Sequence, residues 1–352
     1  MAVAFQHSNL LCCAARVTLA PVFGAVAQHC DNSTRHVALL SPTQPLGVSC
    51  SKHKVRRFVT PQRARNVSLN ILVTGATGTV GSEVVKLLRA QNVSFRAAVR
   101  SVRDTNANGL DESACVSFDF LDARTFGPAF DGVTCMFLMR PPALANPKKD
   151  MAPAIEAARK AGVRKIVFMS LFGAETIPLL PHRTIERLIV TSHMDYTFLR
   201  PSFFMQNLSG MNAPDILRLN EILVPAGQGR TSFIDVRDIA AVAAKVLTED
   251  GYKNSSLTLT GSQALTYFEI ADILTRVLGR PITYTNPSIL RFIVAMRARG
   301  LNNAVIAVMT AIYTVNTLGL AASVTPDVER VLHRQPILFE QFAIDYREAW
   351  ID

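Results

Sequence analysis

The stretch that decides the fold is residues 69–81, Leu69-Asn-Ile-Leu-Val-Thr-Gly-Ala-Thr-Gly-Thr-Val-Gly81. A short apolar run is followed by three glycines spaced GxxGxxG, and residues 82–91 then show the spacing of an amphipathic helix. Glycines after a strand permit a tight turn, in which backbone N–H groups approach a pyrophosphate at the positive end of the helix. This context predicts a dinucleotide site, with contacts from Gly75, Thr77, Gly78, Thr79, Val80 and Gly81.

Strand-like and helix-like segments alternate along the chain after this motif. Further strands are predicted at 94–100, 114–120, 133–139, 165–170 and 196–200. Segments between them, such as 152–161, have the composition and spacing of helices. The alternation predicts an α/β fold, a Rossmann-type doubly wound parallel sheet with right-handed βαβ crossovers.

The pattern changes toward the end of the chain. Two more strands are predicted at 232–236 and 256–260, on either side of a helix over 239–247. Helix-like segments follow at 267–278 and over most of 290–350.

These segments predict three parts of the chain. Residues 1–66 form a leader, and residues 67–262 form the dinucleotide-binding domain. Residues 263–352, with part of 205–230, form a smaller, mostly helical C-terminal lobe. In such folds a substrate meets the cofactor in the cleft between the sheet edge and the lobe.

The leader differs in composition from the rest of the chain. Residues 1–70 hold eight Lys and Arg and one acid, Asp31, so most of the net charge of +10 belongs there. The remainder carries 29 basic and 26 acidic residues, so we predict no nucleic-acid-binding face. An acid-poor, hydroxyl-rich leader is typical of an organellar transit peptide, and we favour chloroplast over mitochondrion. A disordered extension of a cytoplasmic protein is the alternative.

Two other features limit the function classes. Beyond the leader the chain has two cysteines, Cys115 and Cys135, both in apolar runs where a small buried thiol is expected. Their spacing predicts neither a metal site nor a disulfide framework. The uncharged stretch from Ala304 to Ala322 is long enough to cross a bilayer, but its polar residues favour a buried helix over a membrane span.

The end of the second strand indicates which dinucleotide is bound. Chains that prefer NAD usually place Asp or Glu there to bind the ribose hydroxyls. This chain has Arg100 and, three residues on, Arg103, and a guanidinium binds a 2′-phosphate where a carboxylate opposes it. We therefore predict NADP(H) as the cofactor. Asp119 and Phe120, at the end of the third strand, are expected beside the adenine.

Several segments together resemble one known family. They are 73–81 around the glycines, Met136-Phe-Leu-Met-Arg-Pro-Pro142, Leu199-Arg-Pro-Ser-Phe-Phe-Met-Gln-Asn207, Phe233-Ile-Asp-Val-Arg-Asp-Ile239 and Phe339-Glu-Gln-Phe-Ala-Ile-Asp-Tyr-Arg-Glu-Ala-Trp350. From Leu69 nearly to Trp350, the chain resembles the NmrA-like atypical short-chain dehydrogenases.

The resemblance implies further site residues. Arg140, Pro141 and Pro142 would lie beside the nicotinamide ribose. Pro201 to Phe203 would flank the nicotinamide, with Asn207 near the rim of the pocket. The family includes NAD(P)H-dependent reductases of quinones and azo compounds, and also members that bind the dinucleotide as redox-sensing regulators. Fold similarity alone does not choose between these functions.

The residues that usually assist carbonyl reduction are absent from the sequence. Ordinary short-chain dehydrogenases use Tyr-x-x-x-Lys, and none of the six tyrosines has Lys four residues later. In that region the chain has His182 and Glu186, four residues apart on a predicted helix. They form either an acid–base pair or an ordinary helical pair with a surface Glu, and we favour the second. Ser170 either contacts an acceptor oxygen or caps a turn.

The sequence therefore predicts an NADPH-dependent oxidoreductase that transfers a hydride to a quinone or another small electron-poor acceptor. A quinone needs less acid assistance than a ketone, because aromatisation stabilises the reduced oxygens. The alternative is a non-catalytic NADP(H)-binding sensor, regulator or assembly factor that acts through a protein partner.

Overall fold

The computed structural model describes residues 69–101 and 110–351. The predicted leader, 1–66, lies outside these residues, and so does Arg103. The main sheet is built from seven strands: β1 (Ile71–Val73), β2 (Phe95–Val99), β3 (Cys115–Ser117), β4 (Cys135–Met139), β5 (Lys165–Met169), β6 (Asp195–Pro201) and β8 (Ser255–Leu259). They are all parallel, in the order β3-β2-β1-β4-β5-β6-β8. The predicted doubly wound α/β sheet is confirmed.

Helices cover both faces of this sheet because successive strand side chains point to opposite faces. In β1, Ile71 and Val73 belong to one apolar core and Leu72 to another. The first core is completed by α1 (Thr79–Ala90), α8 (Val236–Thr248) and α12 (Asp327–Leu332). The second is completed by α2 (Phe126–Phe130), α4 (Ala152–Lys160) and α5 (Pro181–Thr191). A short helix, α3 (Pro147–Asp150), precedes α4.

A third core belongs to the C-terminal lobe. Its helices are α6 (Gln206–Ser209), α7 (Ala213–Leu219), α9 (Tyr267–Leu278), α10 (Ile289–Ala298), α11 (Asn303–Thr317) and α13 (Phe339–Asp345). A two-stranded parallel sheet, β7 (Glu221–Ile222) with β9 (Thr283–Tyr284), joins its two chain segments. The lobe core thus draws on 205–226 as well as on the end of the chain. The division into 67–262 and 263–352 with part of 205–230 stays a prediction.

One predicted strand is wrong. Residues 232–236 are β-branched and apolar enough to indicate a strand, but only isolated bridges form here, Phe204 with Ile234 and Thr231 with Leu265. The carboxylate of Asp235 accepts a hydrogen bond from the N–H of Arg237 and caps α8. An N-cap carboxylate starts a helix by satisfying one of its free N–H groups, so Val236 is the first helical residue.

The uncharged stretch 304–322 forms α11, which has 15 residues, and then a turn. Among the helices in the described ranges, none is long and apolar enough to cross a bilayer. The helix is also only partly buried, because Ile306 and Met309 face the core whereas Ile312 is exposed.

Candidate dinucleotide and acceptor site

The candidate site lies at the carboxyl edge of the sheet, where the strand order reverses. Connections leave β1 and β4 in opposite directions, and ligands of open α/β sheets bind at such a switch point. The glycine turn follows β1, and Arg140 follows β4. A Cβ atom added to Gly75 would lie 3.1 Å from Sδ of Met139, so the turn packs directly against the end of β4.

The glycine turn permits close backbone approach. Gly75 has a φ of +65°, and the N–H of Gly78 donates to its carbonyl at 2.9 Å. A Cβ atom on Gly81 would overlap that same carbonyl oxygen. α1 begins at Thr79 with no side-chain cap, so its first N–H groups have no partner within the helix. These free N–H groups at the positive helix end suit a pyrophosphate.

The predicted contacts at this turn differ in what they offer a ligand. Gly75, Thr77 and Thr79 are exposed, whereas the Val80 side chain is buried in the core beneath α1. Val80 therefore offers only its N–H group. Sequence reasoning missed Thr74, whose buried hydroxyl donates to the carbonyl of Phe137 at 3.0 Å and accepts from the N–H of Met139 at 2.8 Å. These bonds fasten the start of the turn to β4.

The residues predicted to bind the adenosine half follow the neighbouring strands. Arg100 directly follows β2 and is exposed. The carboxylate of Asp119 accepts from the N–H of Leu121 at 2.9 Å, which fixes it near the end of β3. The ring of Phe120 is buried and packs edge-on against Phe118, with centroids 4.8 Å apart. Phe120 therefore contributes to the core, and its place beside the adenine stays a prediction.

Arg140 holds the loop after β4. Its guanidinium donates to the carbonyl of Leu144 at 3.1 Å and to that of Pro142 at 3.3 Å. Pro141, which directly follows Arg140, is half-buried. These hydrogen bonds stabilise the conformation of residues 140–144, the loop expected beside the nicotinamide ribose.

A buried ionic cluster joins the ends of β5 and β6. Because Met169 pairs with Leu199, the next residues, Ser170 and Arg200, lie side by side. The Glu186 side chain, 1% exposed, accepts from Ser170 Oγ at 2.8 Å and from Arg200 at 2.9 and 3.0 Å. Burial alone would raise the pKa of Glu186, but the hydrogen bonds and the charge of Arg200 outweigh it and lower that pKa.

The sequence offered two interpretations of Glu186 and two of Ser170, and the structure corrects all four. Glu186 is neither a surface residue nor paired with His182, because its hydrogen-bond partners are Ser170, Arg200 and Arg183. Ser170 donates to Glu186 and therefore directs its hydroxyl proton into the cluster rather than toward an acceptor or a turn. Arg200, which follows the apolar core of β6, was missed in this role.

His182, in the first turn of α5, has a different environment. Its ring stacks on Phe168 with centroids 6.0 Å apart, and its Nδ1 is enclosed with no hydrogen-bond partner among the described residues. Burial, assisted by the positive charge of Arg140 and opposed by Glu186, lowers its pKa to about 3. The imidazole is therefore neutral at physiological pH, and its enclosed Nδ1 is not open to a ligand from solution.

The end of β6 is tied to the lobe. Pro201 is the last residue of the strand, and its carbonyl accepts from the N–H of Phe172 at 3.0 Å. Ser202 Oγ lies 3.1 Å from Ser232 Oγ, which also donates to the carbonyl of Ala321 at 3.1 Å. Asn207 lies exposed in α6. The predicted nicotinamide flank thus sits where the sheet edge meets the lobe.

Three lobe tyrosines are unsuited to proton donation. Tyr267, Tyr284 and Tyr313 are buried together, and burial raises the pKa of each, that of Tyr284 to about 12. None of these three tyrosines therefore replaces the tyrosine of the missing Tyr-x-x-x-Lys pair as a proton donor.

Fold and site define a Rossmann-type dinucleotide-binding protein of the short-chain dehydrogenase class. The chain belongs to the NmrA-like family, whose family model matches residues 68–333. The resemblance found in the sequence is confirmed.

Relatives with curated names include two reductases. The NAD(P)H azoreductase of Xenophilus azovorans is 36% identical over 287 residues, 80% of this chain and 99% of the relative. Quinone oxidoreductase 2 of Escherichia coli is 30% identical over 236 residues, 66% of this chain and 82% of the relative.

Solved structures show the same fold. The Citrobacter sp. triphenylmethane reductase complexed with NADP(H) has a TM-score of 0.71 at 27% identity, covering 80% of this chain and all (100%) of that one. The NADPH-dependent quinone oxidoreductase of Escherichia coli complexed with NADPH has a TM-score of 0.71 at 25% identity, covering 79% of this chain and 99% of that one.

Proposed function

We propose that this chain is an NADPH-dependent oxidoreductase that transfers a hydride to a quinone or a similar small electron-poor acceptor. The observation that carries the proposal is the glycine turn at the switch point, which presents free helix N–H groups and closes against the end of β4. Relatives named as azo-compound and quinone reductases support the acceptor class.

The residues present fit NADP(H). Backbone N–H groups of the turn and of Thr79 to Gly81 would hold the pyrophosphate, and Arg100 would bind the 2′-phosphate. The loop fastened by Arg140 and the end of β6 at Pro201 would enclose the nicotinamide end. When bound, NADPH supplies the hydride.

The acceptor chemistry follows from what the site offers. Reducing a quinone to a hydroquinone consumes one hydride and one proton, and aromatisation provides much of the driving force. His182 is neutral and its Nδ1 is enclosed by the described part of the chain, so this residue holds no extra proton to give to an acceptor. The proton is therefore taken from water, which suits a quinone better than a simple ketone.

A direct test is NADPH oxidation by the purified full chain with a graded series of quinones and azo compounds. We expect turnover with quinones, a slower rate with simple aliphatic ketones, and a lower Kd for NADPH than for NADH. Tight NADPH binding without oxidation across the series would overturn the reductase proposal and leave the sensor alternative. Failure to bind either dinucleotide would overturn both.

We also propose that residues 1–66 direct import into an organelle, the chloroplast before the mitochondrion. The support is compositional, namely a basic, hydroxyl-rich segment with a single acid. Fusions of residues 1–66 to a fluorescent protein, expressed in photosynthetic cells, test this. Fluorescence in the plastid is expected, and diffuse cytoplasmic fluorescence would contradict the proposal.

A further inference from the structure

Exposed apolar side chains are concentrated on one part of the lobe. Of the sixteen large apolar residues that are exposed in the described ranges, seven lie between 289 and 324. They are Ile289, Leu290 and Val294 on α10, Ile312 on α11, and Leu318, Leu320 and Val324 after it. We call these seven residues the hairpin surface. Single exposed leucines are common on proteins, whereas exposed apolar residues that form a contiguous patch are typical of interaction sites.

The hairpin surface faces away from the lobe core. α10 buries Phe292 and Met296, and α11 buries Ile306, Met309 and Tyr313, all in the same apolar core. The opposite side of each helix therefore points outward. On α10 that outward side carries Leu290, 75% exposed, and Val294, 65% exposed, one helical turn apart.

The charge of this segment has one sign. Between Asp272 and Asp327 the sequence contains five arginines and no Asp or Glu. Three of the five arginines, Arg276, Arg291 and Arg299, pair with carboxylates from outside the segment. Arg280 donates to backbone carbonyls. Arg297 is exposed and donates to Asn303, a neutral partner.

This combination suits one kind of partner. Arg297 beside exposed aliphatic side chains, in a segment free of carboxylates, matches an anionic lipid surface, where the apolar groups enter the headgroup boundary. α11 itself carries no charge that would oppose this position.

The hairpin surface also adjoins the candidate site. The carbonyl of Ala321, next to Leu320, accepts from Ser232, and Ser232 Oγ contacts Ser202 Oγ at the end of β6. Ala321, which directly follows Leu320, is thus linked through Ser232 to the strand end at which the nicotinamide is expected.

We propose that the hairpin surface docks on an anionic lipid bilayer and brings the end of β6 close to a lipid-dissolved acceptor. The docking stands by itself, whereas the lipid-dissolved acceptor rests on the proposed reductase function. The helices lie along the bilayer surface and do not cross it.

The test is cosedimentation of the full chain with vesicles of phosphatidylcholine alone and of phosphatidylcholine with phosphatidylglycerol. We expect binding to the anionic vesicles, weakened by 0.5 M NaCl because salt screens the arginines. The double variant Leu290→Glu/Val294→Glu should need at least about tenfold more lipid for half-maximal binding, since it removes apolar contacts and adds repulsion.

A matched double variant is the control. Val190→Glu on α5 and Ile344→Glu on α13 change two exposed apolar residues and the same charge outside the hairpin surface. This variant keeps the basic leader, as does the hairpin variant, so leader binding is equal in both. Arg297→Gln provides a milder second variant, expected to weaken binding to anionic vesicles severalfold with unchanged thermal stability.

Equal vesicle binding by wild type and both double variants would overturn the proposal, as would binding to neither vesicle type. Concentration-dependent dimers that the hairpin variant abolishes, without vesicle binding, would assign the surface to a second copy instead. Reduction of a water-soluble quinone should be the same in all variants, whereas reduction of a long-chain quinone within vesicles should fall in the hairpin variant. If the wild type reduced neither quinone, the reductase function would be refuted, but the vesicle-binding result would still stand.

Discussion

The guanidinium of Arg200 meets the carboxylate of Glu186 at two points, Nε to Oε1 at 2.9 Å and Nη2 to Oε2 at 3.0 Å. Both side chains are largely enclosed, at 12% and 1% exposed, and Ser170 supplies a third donor. A charged pair at this depth is held in place because each partner would be costly to bury alone. It therefore fixes the ends of β5 and β6 relative to α5.

The first prediction concerns this pair. Glu186→Gln removes the negative charge and leaves Arg200 enclosed with only the more exposed Glu175 as a carboxylate partner. We expect the free energy of unfolding, measured by urea denaturation, to fall by about 3 kcal/mol, as for other broken buried pairs.

The control is an exposed pair of similar geometry. Glu156 binds Arg159 at 2.7 Å on α4, where both side chains are nearly half exposed. Glu156→Gln should leave the urea midpoint almost unchanged. Equal midpoints for the two variants would show that the Glu186 cluster does not stabilise the fold.

The second prediction concerns the glycine turn. Gly81→Ala places a methyl group into the carbonyl oxygen of Gly75, so the turn must open and the N–H groups of α1 lose their common direction. We expect the Kd for NADPH to rise more than tenfold and the thermal shift produced by NADPH to disappear. Gly127→Ala is the matched control, because a Cβ there meets nothing within 4 Å. Unaltered NADPH binding by Gly81→Ala would argue against this turn as the pyrophosphate site.

Local signals predicted some elements with their bounds. The helix over 267–278 was predicted as observed, because its ends are marked in the sequence. Thr266 and Glu269 form a capping box at its start, and Gly279 ends it with a φ of +69°. The strand predicted over 232–236 was wrong because the apolar residues indicated a strand, whereas Asp235 caps the start of α8.

Contacts between residues far apart in the sequence could not be predicted from local sequence patterns. The four-residue spacing of His182 and Glu186 was visible in the sequence, but their burial depends on where β5 and β6 lie. The pairing of Met169 with Leu199 places Arg200 beside Ser170, within hydrogen-bonding distance of Glu186. No local sequence pattern specifies this strand register. The glycine turn was predictable because strand, turn and helix are consecutive there.

The third prediction concerns the choice of dinucleotide. Arg100→Gln removes the exposed cation that follows β2 and should raise the Kd for NADPH roughly tenfold, the value of a charge-assisted hydrogen bond. The Kd for NADH, which has no 2′-phosphate, should change little. Fluorescence titration with both dinucleotides measures this. Arg159→Gln on α4 is the control, and an equal loss for both dinucleotides in Arg100→Gln would assign the arginine to a different contact.

The fourth prediction concerns the stability of the fold against pH. The pKa of His182 is lowered to about 3, chiefly by burial, whereas an unfolded histidine has a pKa of about 6.5. Between these values the unfolded chain binds a proton at His182 that the folded chain does not. The free energy of unfolding therefore decreases as the pH falls through this window, by up to about 1.4 kcal/mol per pH unit from this residue.

His182→Phe keeps a ring to stack on Phe168 and removes this titration. Between pH 6 and pH 4, the slope of unfolding free energy against pH should become shallower by roughly 1 kcal/mol per pH unit. His333→Asn is the control, since His333 is exposed at a left-handed position that Asn tolerates. An unchanged slope in His182→Phe would mean that the imidazole is already protonated in the folded chain. It would then be able to deliver a proton, and quinone reduction by wild type should slow as the pH rises from 6 to 8, whereas a neutral His182 gives no such decline.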